Sequence, residues 1–378
     1  MIPEKITTRQ MIIYIIGTRA SIAVSVMPAI NLPPYNQDVW IMALYSIIHT
    51  SIAMVPLLYL ANKFTMYSIA GYVKVIFGKG IGKFLGLLYA LYFIMLSING
   101  ITIQSELVAT NFLVESSNII IIVAMLATGI YLVSKGIINI ITSSELLVPV
   151  SIFIIISLIA FGLFVMDYSM ILPMLKYSSF KDMNLGATQL TFYYTDIFFL
   201  AMIVPELENK KDINKIFFVT IVISLFFLAI AIVVAFGSIG VESARHSNFP
   251  FLLYTRTLRD INILERLDPV FVVGWLIINL LRIVGFLYLA TRAIRELFNK
   301  TEKDKIILFI VGGISGLVSM LILNQRSVIG IRQQFDLFYG VLFVLFVIVI
   351  PIISCIVYFF RRKKINKIIE SQSKRCAE

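Results

Sequence analysis

The sequence predicts an all-α polytopic membrane protein of about ten transmembrane helices, arranged as an inverted 5+5 repeat with broken first and sixth helices. Three observations predict it. Apolar runs of bilayer-crossing length recur along the whole chain, Lys and Arg gather on alternate connections, and the first and sixth runs carry matching interruptions.

The runs lie at roughly 11–32, 40–62, 84–110, 118–134, 146–166, 186–205, 215–240, 269–291, 306–324 and 336–360. A helix needs about 20 apolar residues to cross the hydrocarbon core. The fourth and fifth runs are the least separated, with Lys135 and Glu145 flanking a short connection. Hydrophobic residues make up 59% of the 378 positions and charged residues 14%, with a mean hydropathy of +0.94. A soluble fold of this length lacks the polar surface to cover so much Ile, Leu, Val and Phe, and lipid removes that need. The first run follows Lys5 and Arg9 and has no small-residue cleavage site, so it reads as a retained span and not a signal peptide. The reading is a single membrane-embedded domain over 1–378, with a first repeat at about 9–166, a second at about 186–360 and a basic tail at 361–378.

Orientation follows from the basic residues. With the N-terminus in the cytoplasm, 22 Lys and Arg fall on cytoplasmic segments and 8 outside, while Arg19 and Arg282 lie within spans. That asymmetry is the positive-inside pattern for an even number of spans, and it places both termini in the cytoplasm. The tail, with Arg361, Arg362, Lys363 and Lys364, suits anionic lipid. The longest outer connection, 241–268, is expected to form a helix on the outer membrane surface. Its four Arg, Arg256 and Arg259 among them, suit a partner subunit or the membrane surface.

Several motifs fail on their context. The net charge of +11 is dispersed between spans, without the basic groove and aromatic interleaving of a nucleic-acid surface. Gly78-Lys79-Gly80-Ile81-Gly82-Lys83 resembles a phosphate loop, but Phe84 follows the Lys where Ser or Thr belongs and no strand precedes it. Cys355 and Cys376 form no disulfide framework or metal spacing. His49 reads as a packed histidine and His246 as a loop residue without metal partners. Gly312 and Gly316 read as ordinary helix packing. No paired acid and base or nucleophile set stands out. The chain is therefore not expected to be an enzyme or to hold a cofactor or metal.

Charges inside spans carry the functional reading, because they are costly in lipid and face a cavity or one another. Arg19, Asp196 and Arg282 each sit about nine residues from the inner end of their span, a depth of roughly 13 Å at 1.5 Å per residue. Arg19 precedes Pro28 by nine residues and Asp196 precedes Pro205 by nine, so an offset of 177 superposes the first span on the sixth. Matched interruptions of this kind mark transporters whose substrate site lies at mid-membrane between broken helices. Span one is interruptible at Gly17-Thr18-Arg19-Ala20-Ser21 and later at Met27-Pro28, and span six at Thr191-Phe192-Tyr193-Tyr194-Thr195-Asp196 and later at Val204-Pro205. Asn279, three residues before Arg282, shares its helix face. The candidate ligand-binding residues are Gly17, Thr18, Arg19, Tyr194, Asp196, Asn279 and Arg282. A purely structural ion pair with one spare Arg is the competing reading; Glu106, nearer the outer end of span three, is a second carboxylate able to neutralise it.

The chain also resembles a known family. Ile6-Thr7-Thr8-Arg9-Gln10, Phe77-Gly78-Lys79, Pro205-Glu206, Asn248-Phe249-Pro250, Leu264-Glu265-Arg266-Leu267-Asp268, Trp275 and Arg282 occur in the order and spacing of the B subunit of bacterial endospore germinant receptors. These are the spore germination permeases of the amino acid–polyamine–organocation transporter superfamily. The resemblance implies a subunit in the spore inner membrane that senses a small-molecule germinant, an amino acid or related carboxylate, together with an A-type subunit and a lipoprotein C-type subunit. It also implies that the ligand carboxylate meets freed backbone amides at the break in span one. The sequence departs from that pattern by placing Arg19 and Ala20 where a second small, flexible residue belongs. A secondary amino-acid transporter coupled to H⁺ or Na⁺ is the alternative function, and a membrane scaffold with a vestigial pocket is a third.

Overall fold

A computed structural model describes residues 5–258, 267–300, 305–324 and 339–377. Arg259, Leu264, Glu265, Arg266, Lys303, Arg326 and Arg332 lie outside the described residues. The helices are α1 (Thr8–Ser25), α2 (Val39–Lys63), α3 (Ile69–Phe77), α4 (Lys79–Asn111), α5 (Asn118–Ser134), α6 (Ile137–Val165), α7 (Phe180–Thr191) and α8 (Ile197–Ile203). They continue with α9 (Ile213–Ile239), α10 (Val241–His246), α11 (Pro250–Thr257), α12 (Asp268–Leu297), α13 (Ile306–Asn324) and α14 (Ile350–Ala377), the last preceded by a π-helical stretch, Val344–Val349. Among the described residues no strand forms, and Ile6 and Leu207 make an isolated parallel bridge.

Seven helical stretches among the described residues are long and apolar enough to cross a membrane, and the apolar helices Asn118–Ser134 and Ile197–Glu206 are shorter. Central position falls to α12, which packs on α4, α6, α1 and α5. α2 pairs with α9 and α7, α13 lies against α4 and α5, and α1 is enclosed by α6, α9 and α12.

Of the two interruptions read in the first span, the one at Gly17–Ser21 does not form. There α1 is continuous, and the small residues serve close packing. A Cβ on Gly17 would stand 2.6 Å from Val148 of α6. Thr18 and Ser21 donate to the carbonyls of Ile15 and Thr18 of their own helix, at 3.0 and 2.7 Å. The helix instead ends after Ser25 and gives way to a 3-10 turn, Pro28–Asn31. Pro28 has no N–H and disfavours helical geometry in the residue before it. Met27 accordingly adopts φ 41°, left-handed and strained for a residue with a side chain. The sixth span breaks where expected: α7 ends at Thr191, α8 begins at Ile197, and the chain between is irregular. Replacing Gly17 by Ala should lower the melting temperature of the purified protein in detergent, since overpacking costs about 1–3 kcal/mol. Adding Val148→Ala should restore most of the loss. A Gly17→Ala protein as stable as the parent would contradict this packing.

The glycines of the phosphate-loop look-alike are structural. Gly78 takes φ 86° to turn α3 into α4. A Cβ at Gly82 would stand 2.5 Å from the Lys74 backbone. The described part of the 241–268 segment, up to Leu258, departs from a helix lying on the membrane: α10 and α11 are short, and α11 buries Phe251, Leu252 and Tyr254 against α9, α12 and α1. Arg256 reaches Asp268 at 3.7 Å.

On the face where α1 begins, a polar network ties several segments together. The Ile6 N–H donates to the Glu206 carbonyl and the Glu208 N–H to the Ile6 carbonyl, both at 2.9 Å. The Thr8 hydroxyl donates to Asp212 at 2.7 Å. Arg292 bridges Glu206 at 2.7 Å and Glu296 at 2.8 Å, and Glu296 also accepts from Ser68 and Lys74. Two segments noted in the sequence, Ile6–Gln10 and Pro205-Glu206, thus meet in one network.

Candidate ligand-binding site

The three buried charges form one cluster. Asp196 is fully buried and lies at the start of α8. Arg282 Nε stands 3.2 Å from Asp196 Oδ1, and Arg19 Nη1 stands 3.5 Å from Oδ2. Arg19 also donates to the carbonyl of Tyr193 and lies over the Tyr194 ring, 4.2 Å from its centroid. That carbonyl belongs to the irregular link between α7 and α8. Non-helical backbone at membrane depth persists only where protein or a cavity satisfies it. Arg19 supplies that partner, so it holds the break in shape. Two guanidinium groups on one carboxylate leave one positive charge in excess.

Beside this cluster lies a cavity of about 660 Å³, on the side away from the N-terminus. Both helix breaks line it: Val26 and Pro28 from the first, Phe192, Tyr193 and Thr195 from the second. Asn99, Thr102, Ile103 and Glu106 of α4, Gln189 of α7, Arg282 of α12 and Val344 of the π-helical stretch complete much of the wall. Asn248, ahead of α11, reaches Glu106 at 3.4 Å, and Arg245 of α10 donates to the Tyr35 carbonyl at the cavity rim at 3.2 Å.

Of the seven residues expected to bind ligand, Arg282 lines this cavity. Arg19, Tyr194 and Asp196 form the layer beneath it. Tyr194 faces Thr220 and Ser224 of α9. Asn279 is buried against α4, its side-chain amide donating to Gln104 at 2.8 Å. Thr18 is bonded within α1 and Gly17 abuts α6. The polar residues that do line the cavity and were not anticipated include Asn31, Asn99, Thr102, Gln189 and Thr195. Asn99, Thr102 and Glu106 recur at i, i+3 and i+7, one face of α4, and that spacing is visible in the sequence. His49 packs edge-on against Tyr45 with ring centroids 4.9 Å apart. Among the described residues no cluster of metal-ligating side chains occurs.

These features define a helical integral membrane protein with two interrupted helices facing one central cavity and a buried cation at its floor. The chain matches the spore germination protein family, Spore_permease, over residues 5–328, and it belongs to that family. It is a germination-related membrane protein. It is similar to three proteins of Bacillus subtilis (strain 168). Spore germination protein YndE is 22% identical over 300 residues, covering 79% of this chain and 82% of the relative. Spore germination protein B2 is 22% identical over 304 residues, covering 80% and 82%. Spore germination protein KB is 24% identical over 241 residues, covering 62% and 64%.

Proposed function

We propose that this chain is the nutrient-sensing subunit of a spore germination receptor and that a small germinant bearing a carboxylate, such as an amino acid, occupies the central cavity. One observation carries the reading: Asp196 is shared by Arg19 and Arg282, and Arg282 alone of the three faces the cavity. An uncompensated buried charge is costly, so an anion entering there is favoured. Membership of the germination family supports a sensing role over a metabolic one. The spans are proposed to number ten, as a first repeat of α1 to α6 and a second of α7 to α14. The equivalent pairings of α2 with α9 and of α4 with α12 support that repeat. By resemblance, the receptor includes an A-type and a lipoprotein C-type subunit in the spore inner membrane.

The test is a binding panel on the purified full chain. Free amino acids and simple carboxylates are compared with their amides and amines by ligand-dependent shift of the melting temperature. Carboxylates should stabilise the protein and their amides should not; equal shifts would end the carboxylate assignment. Uptake of the bound compound by vesicles carrying this chain alone would make it a secondary transporter instead.

The proposed orientation puts both termini in the cytoplasm. In a chain with Cys355 replaced by Ala, Cys376 should react with an impermeant maleimide only from the cytoplasmic side. With Cys376 also replaced, a Cys introduced at Ser247 should react only from outside. Labelling of both positions from one face would require an even number of spans between them, where the proposed topology has three, and would exclude that topology.

A further inference from the structure

A second site lies on the lipid-facing flank, where α5 and α13 part. Midway along, the two helices are in close contact: a Cβ on Gly312 would stand 2.9 Å from Ile130, and one on Gly316 would stand 2.4 Å from Leu126. Toward the face that carries the N-terminus the contact opens into a groove of about 300 Å³. Its floor is apolar, formed by Ile130, Leu308 and Phe309, and Tyr131 and Lys305 stand at its end. Lys135 lies over the Tyr131 ring, its Nζ 5.1 Å from the centroid. Among the described residues neither Lys135 nor Lys305 is paired with a carboxylate. Tyr131 and Phe309 are 60% and 58% exposed, which for membrane-embedded helices means facing lipid.

We propose that this groove binds an anionic phospholipid, its phosphate between Lys135 and Lys305 and an acyl chain along Ile130, Leu308 and Phe309. The choice of occupant follows from the chemistry of both ends. Basic residues at the end of a span attract anionic headgroups, and an aromatic ring belongs at the same depth. The apolar floor continues into the hydrocarbon region, so a soluble anion would leave it unfilled, whereas a lipid satisfies both ends at once. The site is separate from the central cavity and does not depend on what the cavity binds.

The experiment uses the purified full chain in bilayer discs with spin-labelled phosphatidylglycerol or phosphatidylcholine, measuring the motionally restricted fraction of each. The parent protein should prefer phosphatidylglycerol. A basic residue at the surface is worth about fivefold in affinity for an acidic bilayer. K135Q and K305Q should each lower the preference by about that factor, and the double variant should lower it further. K135R/K305R should retain the preference, and millimolar inorganic phosphate should not abolish it. K363Q/K364Q, which removes charge from the tail, should lower it by less than K135Q/K305Q does. An unaltered preference in K135Q/K305Q overturns the proposal. So does an equal fall in K363Q/K364Q, which would mean general surface charge. Displacement by inorganic phosphate would mean an anion site without lipid, and restriction of lipid lost only when a receptor partner is added would assign the groove to that protein.

Discussion

Asp196→Asn should abolish the germination response and sharply lower the stability of the chain. The carboxylate is fully buried and is shared by Arg19 at 3.5 Å and Arg282 at 3.2 Å. Asparagine keeps the shape and removes the charge, so two guanidinium groups are left facing one neutral amide. Breaking a buried pair by removing one partner costs about 3–5 kcal/mol, because the remaining charge has nowhere to go. The charge count supplies a control. R19Q/D196N removes one cation along with the anion, leaving one buried charge in excess, as in the parent. Its melting temperature should therefore lie above that of D196N. Its response should stay absent, since Arg282 would still lack the carboxylate that orients it. Thermal unfolding in detergent measures the first quantity, and germination of spores carrying each variant measures the second. A D196N protein as stable as the parent would show that the cluster is not held together by this charge.

The ion cluster was legible in the sequence because charge within an apolar run has few tolerable destinations. Arg19, Asp196 and Arg282 announce themselves by cost alone. The long spans were legible for the same reason in reverse, since lipid imposes length and composition on a helix. The earlier of the two breaks read in span one was misplaced because small residues serve two ends. Gly17 and Ala20 suit an unwound stretch and equally suit two helices in close contact, and only the Val148 side chain opposite Gly17 decides between them. Met27-Pro28, where the span does give way, was the later of the two interruptions legible in span one. The cavity wall was harder. Arg282 shares its helix face with Asn279, yet Asn279 turns to Gln104 of α4 and Arg282 turns to the cavity. Asn31 and Gln189 reach the cavity through the approach of separate segments, which no local pattern encodes. The α4 stripe of Asn99, Thr102 and Glu106 was the one wall that spacing alone reveals.

Arg282 should prove the residue on which carboxylate binding depends, and its substitutions should separate charge from shape. Among the described residues only its Nε is hydrogen-bonded, to Asp196 at 3.2 Å, and the guanidinium borders the cavity. A guanidinium is a planar fork, so one edge can hold Asp196 while the other offers two N–H groups to a ligand carboxylate. Arg282→Ala removes the excess cation and leaves Arg19 paired with Asp196 as a neutral couple. The variant should therefore remain folded, in contrast to Asp196→Asn. Its affinity for a carboxylate ligand should fall by about 10- to 150-fold, the equivalent of the roughly 1.5–3 kcal/mol of a hydrogen bond to a charged group. Arg282→Lys keeps the charge as a compact point that cannot serve Asp196 and a ligand edge together. It should bind more weakly than the parent and more tightly than Arg282→Ala. The ligand-dependent rise in melting temperature reads each affinity, because stabilisation grows with the ratio of free ligand to Kd. Equal rises in the parent and in Arg282→Ala would place the ligand elsewhere. Lysine binding as poorly as alanine would make the planar fork, rather than the charge, the feature that the ligand reads.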